Sequence, residues 1–171
     1  MTTPPRTTRE QDPVERARAQ WAQRYPDESG FVVVVSMLRT YALMIRELER
    51  ILKPVGLTLT RFEVLLLLSF SAERRLPTMR LRDLLLIHGS SATYLVDRLE
   101  LRGWVRREAE PADRRVNYVV LTDEGETLVE RAVEALVAAG WGHAAGLDAA
   151  ERRQITALLA ALRGAESPAL V

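Results

Sequence analysis

The span from residue 80 to residue 122 constrains the fold most, because its hydrophobic period changes abruptly from helical to extended. RLRDLLLI (80–87) reads as a short amphipathic helix, and His88-Gly89 supplies a turn. SSATYLVDRLELR (90–102) reads as a second helix, capped by Ser90, with Leu95, Val96 and Leu99 on its inner face and Gly103 as its stop. WVRRE (104–108) and NYVVLT (117–122) are then β-prone runs, separated by the charged, proline-containing AEPADRRV (109–116). Two helices across a glycine turn, followed by a hairpin, give the spacing of a helix-turn-helix with a wing.

The flanking segments supply a helical frame. Asp12 is a candidate N-cap with Pro13 at the first helical position, so PVERARAQWAQRY (13–25) predicts a short helix carrying Trp21 and stopped by Pro26 and Gly30. Val34, Leu38, Tyr41, Ile45, Leu48, Leu52 and Val55 step by four and three, an apolar seam over three heptads. Such a seam packs against a helix of its own chain or serves as a dimer interface. TRFEVLLLLSFS (60–71) is apolar on nearly every side and predicts a central buried helix. Thr122 starts a further helix with Gly125 in its first turn. Asp148, with Glu151 three residues on, starts the last, whose apolar face is Ile155, Leu158, Leu159 and Leu162. The fold class expected is mainly α (α+β): a winged helix-turn-helix with a two-stranded β-wing, embedded in a helical domain.

Composition removes several classes of function. There is no cysteine, hence no disulfide framework, thiolate nucleophile or thiol redox switch. The two histidines, His88 and His143, accompany no phosphate loop, nucleophile elbow or zinc-protease motif. No cluster of metal ligands at helical spacing appears, so neither an enzyme nor a cofactor or metal is expected. The N-terminal run lacks an apolar signal core, and FVVVV (31–35) and VLLLLSF (64–70) are too short for a membrane span, which predicts a soluble, cytoplasmic protein.

A total of 24 basic against 23 acidic residues argues against a nucleic-acid partner only until the charge is placed. Residues 73–116 hold ten arginines and seven acids, a net of +3, while the remainder has fourteen basic and sixteen acidic residues, a net of −2. The excess therefore lies on the winged-helix segment. Ser90, Ser91, Thr93 and Tyr94 open its second helix, the end that meets base edges when such a helix enters a major groove. Arg98 lies a turn further on, within reach of a backbone phosphate or of neighbouring acids. His88 either touches a phosphate or caps the preceding helix. Arg114 and Arg115 at the hairpin tip suit the negative potential of a narrow minor groove.

Asp113-Arg114-Arg115-Val116-Asn117-Tyr118-Val119-Val120-Leu121-Thr122 fits a D-x-R-x-x-x-V-x-L-T pattern, followed by an Asp-Glu-Gly helix start. With VDRLELRGWVRR (96–107) and LKPVGLTLTRFEVLLLL (52–68), this run resembles the MarR-type transcriptional regulators over residues 31–163. The resemblance implies a homodimer reading a pseudo-palindromic operator in double-stranded DNA, with 31–58 and 123–165 as the helical dimerisation region. Residues 59–122 would be the winged helix-turn-helix, 1–30 a tail plus an extra helix, and 166–171 a tail. It implies DNA contacts from Ser90, Ser91, Thr93 and Tyr94 in the major groove and from Arg115, held by Asp113, in the minor groove, with Arg114 nearby. It also implies a repressor released by a small aromatic or phenolic effector, in a pocket near Tyr41, Met44, Phe62 and Phe70. Trp21 matches a tryptophan of relatives that resemble urate sensors, but Glu63, Phe70 and Leu95 occupy the positions of their other urate contacts and speak against urate. An effector-free architectural binder and a winged helix used for protein contact are the rival readings.

Overall fold

The computed structural model describes residues 12–110, 116–141 and 146–164. The N-terminal tail, the hairpin tip with Asp113, Arg114 and Arg115, His143 and the last residues lie outside the described part. The chain divides into two compact units, Met1–Glu47 and Leu48–Val171.

The first unit opens with α1 (Pro13–Ala22), whose cap is Asp12, its carboxylate accepting the Val14 N–H at 3.0 Å. In the last turn of α1, the Trp21 ring stacks on Phe31 at 4.1 Å and meets Tyr25 at 4.4 Å, and its indole N–H donates to the Asp27 carbonyl. Arg18 bridges Glu15 and Glu28. Asp27 accepts both the N–H and the hydroxyl of Ser29 at the start of α2 (Ser29–Leu52). Those two hydrogen bonds hold its carboxyl below the usual value. The long apolar seam divides along α2. Val34, Leu38 and Tyr41 are exposed, whereas Leu48 and Leu52 are buried.

The second unit carries the core. After a 3₁₀ turn at Lys53–Val55, Gly56 adopts a left-handed φ of 85° and turns the chain into α3 (Leu59–Phe70). The Thr58 hydroxyl accepts the Arg61 N–H at the N-terminus of α3, and Glu49 accepts that of Leu59. As the apolar run predicts, α3 is central: Phe62, Val64, Leu65 and Leu68 are buried. Around it pack Leu81 of α4 (Thr78–Leu85) and Val96 and Leu99 of α5 (Gly89–Glu100), with Leu128 and Leu136 of α6 (Asp123–Ala138).

The expected two-stranded wing is part of a three-stranded antiparallel sheet. Its order is β1 (Arg75–Pro77), β3 (Asn117–Leu121), β2 (Val105–Ala109), with Leu76 opposite Val119 and Arg107 opposite Val119 on the other side. AERRLPT (72–78) reads from the sequence as a loop, but Arg75–Pro77 within it form a strand. Pairing with β3 alone makes them a strand, and their edge position tolerates the proline.

The Leu-Thr-Asp-Glu-Gly start of α6 has a steric reason. The Thr122 hydroxyl donates to the Gly103 carbonyl at 2.7 Å and accepts the Gly125 N–H at 3.1 Å. A Cβ on Gly125 would lie 2.1 Å from the Trp104 carbonyl oxygen, so only glycine lets α6 pack against the entry to β2. The last helix, α7 (Ala149–Arg163), starts with the capping box of Asp148 and Glu151 that the sequence predicts. None of its residues is buried.

Candidate nucleic-acid interface

Two corrections place the start of α5. The helix begins at Gly89 and ends at Glu100, and the residue at its N-cap is His88, not Ser90. The chain leaves α4 through a left-handed Leu86 and runs extended at His88 (ψ 150°), which moves the N-cap two residues ahead of Ser90. Ser90 and Ser91 therefore sit inside the first turn, both exposed. A good capping residue was available in the sequence, but the geometry of the turn chose the boundary.

The His88 side chain makes no capping hydrogen bond. Side-chain oxygens cap α1, α3, α6 and α7, through Asp12, Thr58, Thr122 and Asp148. At α5 no side-chain acceptor covers the first-turn amides, where the helix dipole favours negative charge. Thr93 is exposed, and its hydroxyl donates back to the Gly89 carbonyl at 3.1 Å, leaving its methyl and its acceptor lone pairs outward. Tyr94 stands 61% exposed, with the Arg98 guanidinium over its ring at 5.1 Å. Ala92, Val96 and Leu99 turn the opposite face of α5 into the core, which fixes the orientation of the outer one.

The arginines divide into two kinds. Arg74 pairs with Asp123, Arg75 with Glu73, Arg82 with Asp83 and Arg106 with Glu108. Arg107 of β2 holds both Asp97 and Glu100 of α5. Burial lowers the affinity of its guanidinium for the proton, but the two carboxylates outweigh that and leave it above its ordinary value. Asp97 and Glu100 thus serve the junction of α5 with β2 rather than quenching Arg98 on their own helix. Arg98 and Arg102 instead lie over the rings of Tyr94 and Trp104. Sequence reasoning missed the role of Arg107, since a pairing across seven to ten residues needs the hairpin to be folded. What α5 offers chemically is an uncapped helix N-terminus, hydroxyls, an aromatic edge and a cation, a set that suits phosphate and base edges.

The residues expected at an effector pocket do not share one environment. Phe62 is 2% exposed and belongs to the core, whereas Phe70 on the same helix is 76% exposed. Tyr41 and Met44 are exposed on α2, and Trp21 is taken up by Phe31, Tyr25 and Asp27. Among the described residues no acid or histidine cluster fits a metal ion, and no helix is long and apolar enough to cross a membrane.

Residues 55–116 match the model of the MarR family. Over 118 residues the chain is 32% identical to the HTH-type transcriptional regulator PecS of Dickeya dadantii, covering 67% of this chain and 71% of that protein. Sco3205, a MarR family transcriptional regulator from Streptomyces coelicolor solved in complex with DNA, superposes with a TM-score of 0.72 at 28% identity, covering 81% of this chain and 91% of that one. CouR from Rhodococcus jostii, solved with bound p-coumaroyl-CoA, gives 0.68 at 26% identity, covering 84% and 97%.

Proposed function

The chain belongs to the MarR family of DNA-binding transcriptional regulators, which are not enzymes, and from that premise we propose that it is a cytoplasmic, ligand-responsive repressor binding a pseudo-palindromic operator as a homodimer. The observation that carries the DNA contact is the outward face of α5. His88, Ser90, Ser91 and Thr93 lie at a helix N-terminus that no side chain caps, followed by Tyr94 and, in the last turn, by Arg98 over the Tyr94 ring. Placed in a major groove, they meet base edges and flanking phosphates. Asp113, Arg114 and Arg115 follow at the wing tip, with Arg115 in the minor groove.

Two apolar surfaces support the dimer. Val34 and Leu38 stand exposed on α2, and Ile155, Leu158 and Leu162 on α7. These five side chains are each about half exposed, so leaving them in water forfeits about 1 kcal/mol each. A second copy covers them and sets two α5 helices about 34 Å apart, one turn of B-DNA. An effector works by binding more tightly to a dimer whose α5 spacing misses that distance. The exposed ring of Tyr41, with Met44 three residues on, offers apolar surface to an aromatic or phenolic ligand of the class CouR binds.

The test is a duplex selected from a random-sequence pool by the protein itself. Arg98→Ala and Arg115→Ala each weaken binding about tenfold and each reduce the salt slope by about one. Unaltered affinity and slope in both variants overturn the placement of α5 and the wing on DNA. Release of the selected duplex by a panel of phenolic acids and their thioesters supports the effector, and retention under all of them supports an effector-free regulator.

A further inference from the structure

Three non-glycine residues among those described have positive φ: Glu73, Arg74 and Leu86. The first two have side chains in use, Glu73 on Arg75 and Arg74 on Asp123. Leu86 differs. It ends α4 at φ 53° and ψ 39°, while its N–H reaches Asp83 O at 3.3 Å and the Ile87 N–H reaches Arg82 O at 3.2 Å. This is the Schellman ending, whose left-handed position glycine fills without strain. Leucine brings a Cβ and a branched chain to that position, and the side chain is 90% exposed. Folding gains neither conformational ease nor burial from it.

We propose that Leu86 is a DNA-contacting residue, which packs its isobutyl group on the apolar surface of a nucleotide, a thymine methyl or a deoxyribose face, beside the site where α5 enters the groove. This rests on the reading of α5 as the groove-entering helix. Ser90 is four steps along the chain from Leu86, so their Cα atoms lie within about 14 Å of each other. A single DNA-binding module covers about 600–1,000 Å², a disc of about 14–18 Å radius. A footprint centred on the N-terminal end of α5 therefore reaches Leu86. The side chain carries no donor and leaves phosphates to the arginines. Apolar contact with thymine methyls or sugars is what a leucine at a groove edge has to offer.

The experiment measures thermal midpoint, affinity and salt slope together, on the duplex selected from a random pool by the wild-type protein. Leu86→Gly relieves the left-handed backbone, so its midpoint rises by a few degrees while its affinity falls about five- to tenfold at an unchanged salt slope. Leu86→Asn, which also tolerates the left-handed region, behaves the same way, and Leu86→Met keeps its affinity within about twofold of wild type. A duplex with deoxyuridine in place of thymidine identifies the surface. Loss of the difference between wild type and Leu86→Gly assigns a thymine methyl, and its persistence assigns the sugar. Affinity within twofold of wild type for Leu86→Gly overturns the contact. So does a fall in midpoint accompanying the loss, because Leu86 is then a residue of the fold. Arg98→Ala measured alongside separates the two failures. Weak binding by Arg98→Ala with full binding by Leu86→Gly sinks the leucine contact alone, whereas full binding by both sinks the placement of α5.

Discussion

Two regions of this chain carry the same apolar periodicity and meet opposite fates. In the winged-helix region the apolar positions of α3, α4 and α5 close on one another: Leu65, Leu68, Leu81, Val96 and Leu99 are each within 1% of complete burial. On α7 the face Ile155, Leu158 and Leu162 repeats the pattern and stays exposed, and the N-terminal half of the α2 seam does likewise. The contrast is sharpest within α2, where Leu48 and Leu52 are buried and Leu38 and Tyr41 are not, on one continuous stripe. A helical period states which face must be covered. It does not state whether the cover comes from the same chain.

The comparison can be broken by substitution. Leu68→Ala removes a fully buried side chain from the centre of the head and should cost about 3 kcal/mol, the cavity included, read as an early midpoint in urea or heat. A loss under about 1 kcal/mol would show the head to be no better packed than the frame helices. Leu158→Glu puts a charge on the exposed face of α7. It is expected to leave the far-UV spectrum intact while light scattering falls from the mass of the proposed dimer to the 19.3 kDa of one chain. An unchanged mass would return that face to solvent and remove the main support for a second copy.

The smallest effect concerns the first unit, which is held at the entrance to α2 by polar and aromatic contacts rather than by a core. Asp27 has its folded value depressed by the N–H and hydroxyl of Ser29. Its contribution is therefore fully present above about pH 4 and fades as pH falls through the lower folded value. Wild type should exceed Asp27→Ala slightly in thermal midpoint at pH 7, and the gap should narrow as the pH is taken below 4. A gap independent of pH would assign the effect to something other than the carboxylate.

Much of the head is legible in the sequence because its signals are local. Thr58, Thr122 and Asp148 cap the helices they precede, each within three residues of the N–H it accepts. The buried stripe of α5 follows from the spacing of Ala92, Val96 and Leu99. What sequence reading misplaced was decided at longer range. Ser90 looked the better cap, yet the Schellman turn at Leu86 started the helix at Gly89. Arg75–Pro77 has no strand signature of its own and becomes β1 by pairing with residues more than forty positions away. The effector residues named from the sequence include Phe62, which the core absorbs, and Trp21, whose ring and N–H are both engaged.

The sequence by itself determined the kind of protein this is. The order of helix, turn, helix and hairpin, the Leu-Thr-Asp-Glu-Gly run and the position of the arginine excess are properties of neighbouring residues, set by hydrogen bonds and periods that span a few positions. Only the tertiary structure decided which charges remain for a partner. Arg107 and Arg98 are chemically identical, but the folded hairpin carries Arg107 onto Asp97 and Glu100 and leaves Arg98 over the ring of Tyr94. Ion pairs fall off with distance through space rather than along the chain. A count of 24 against 23 could not separate the two.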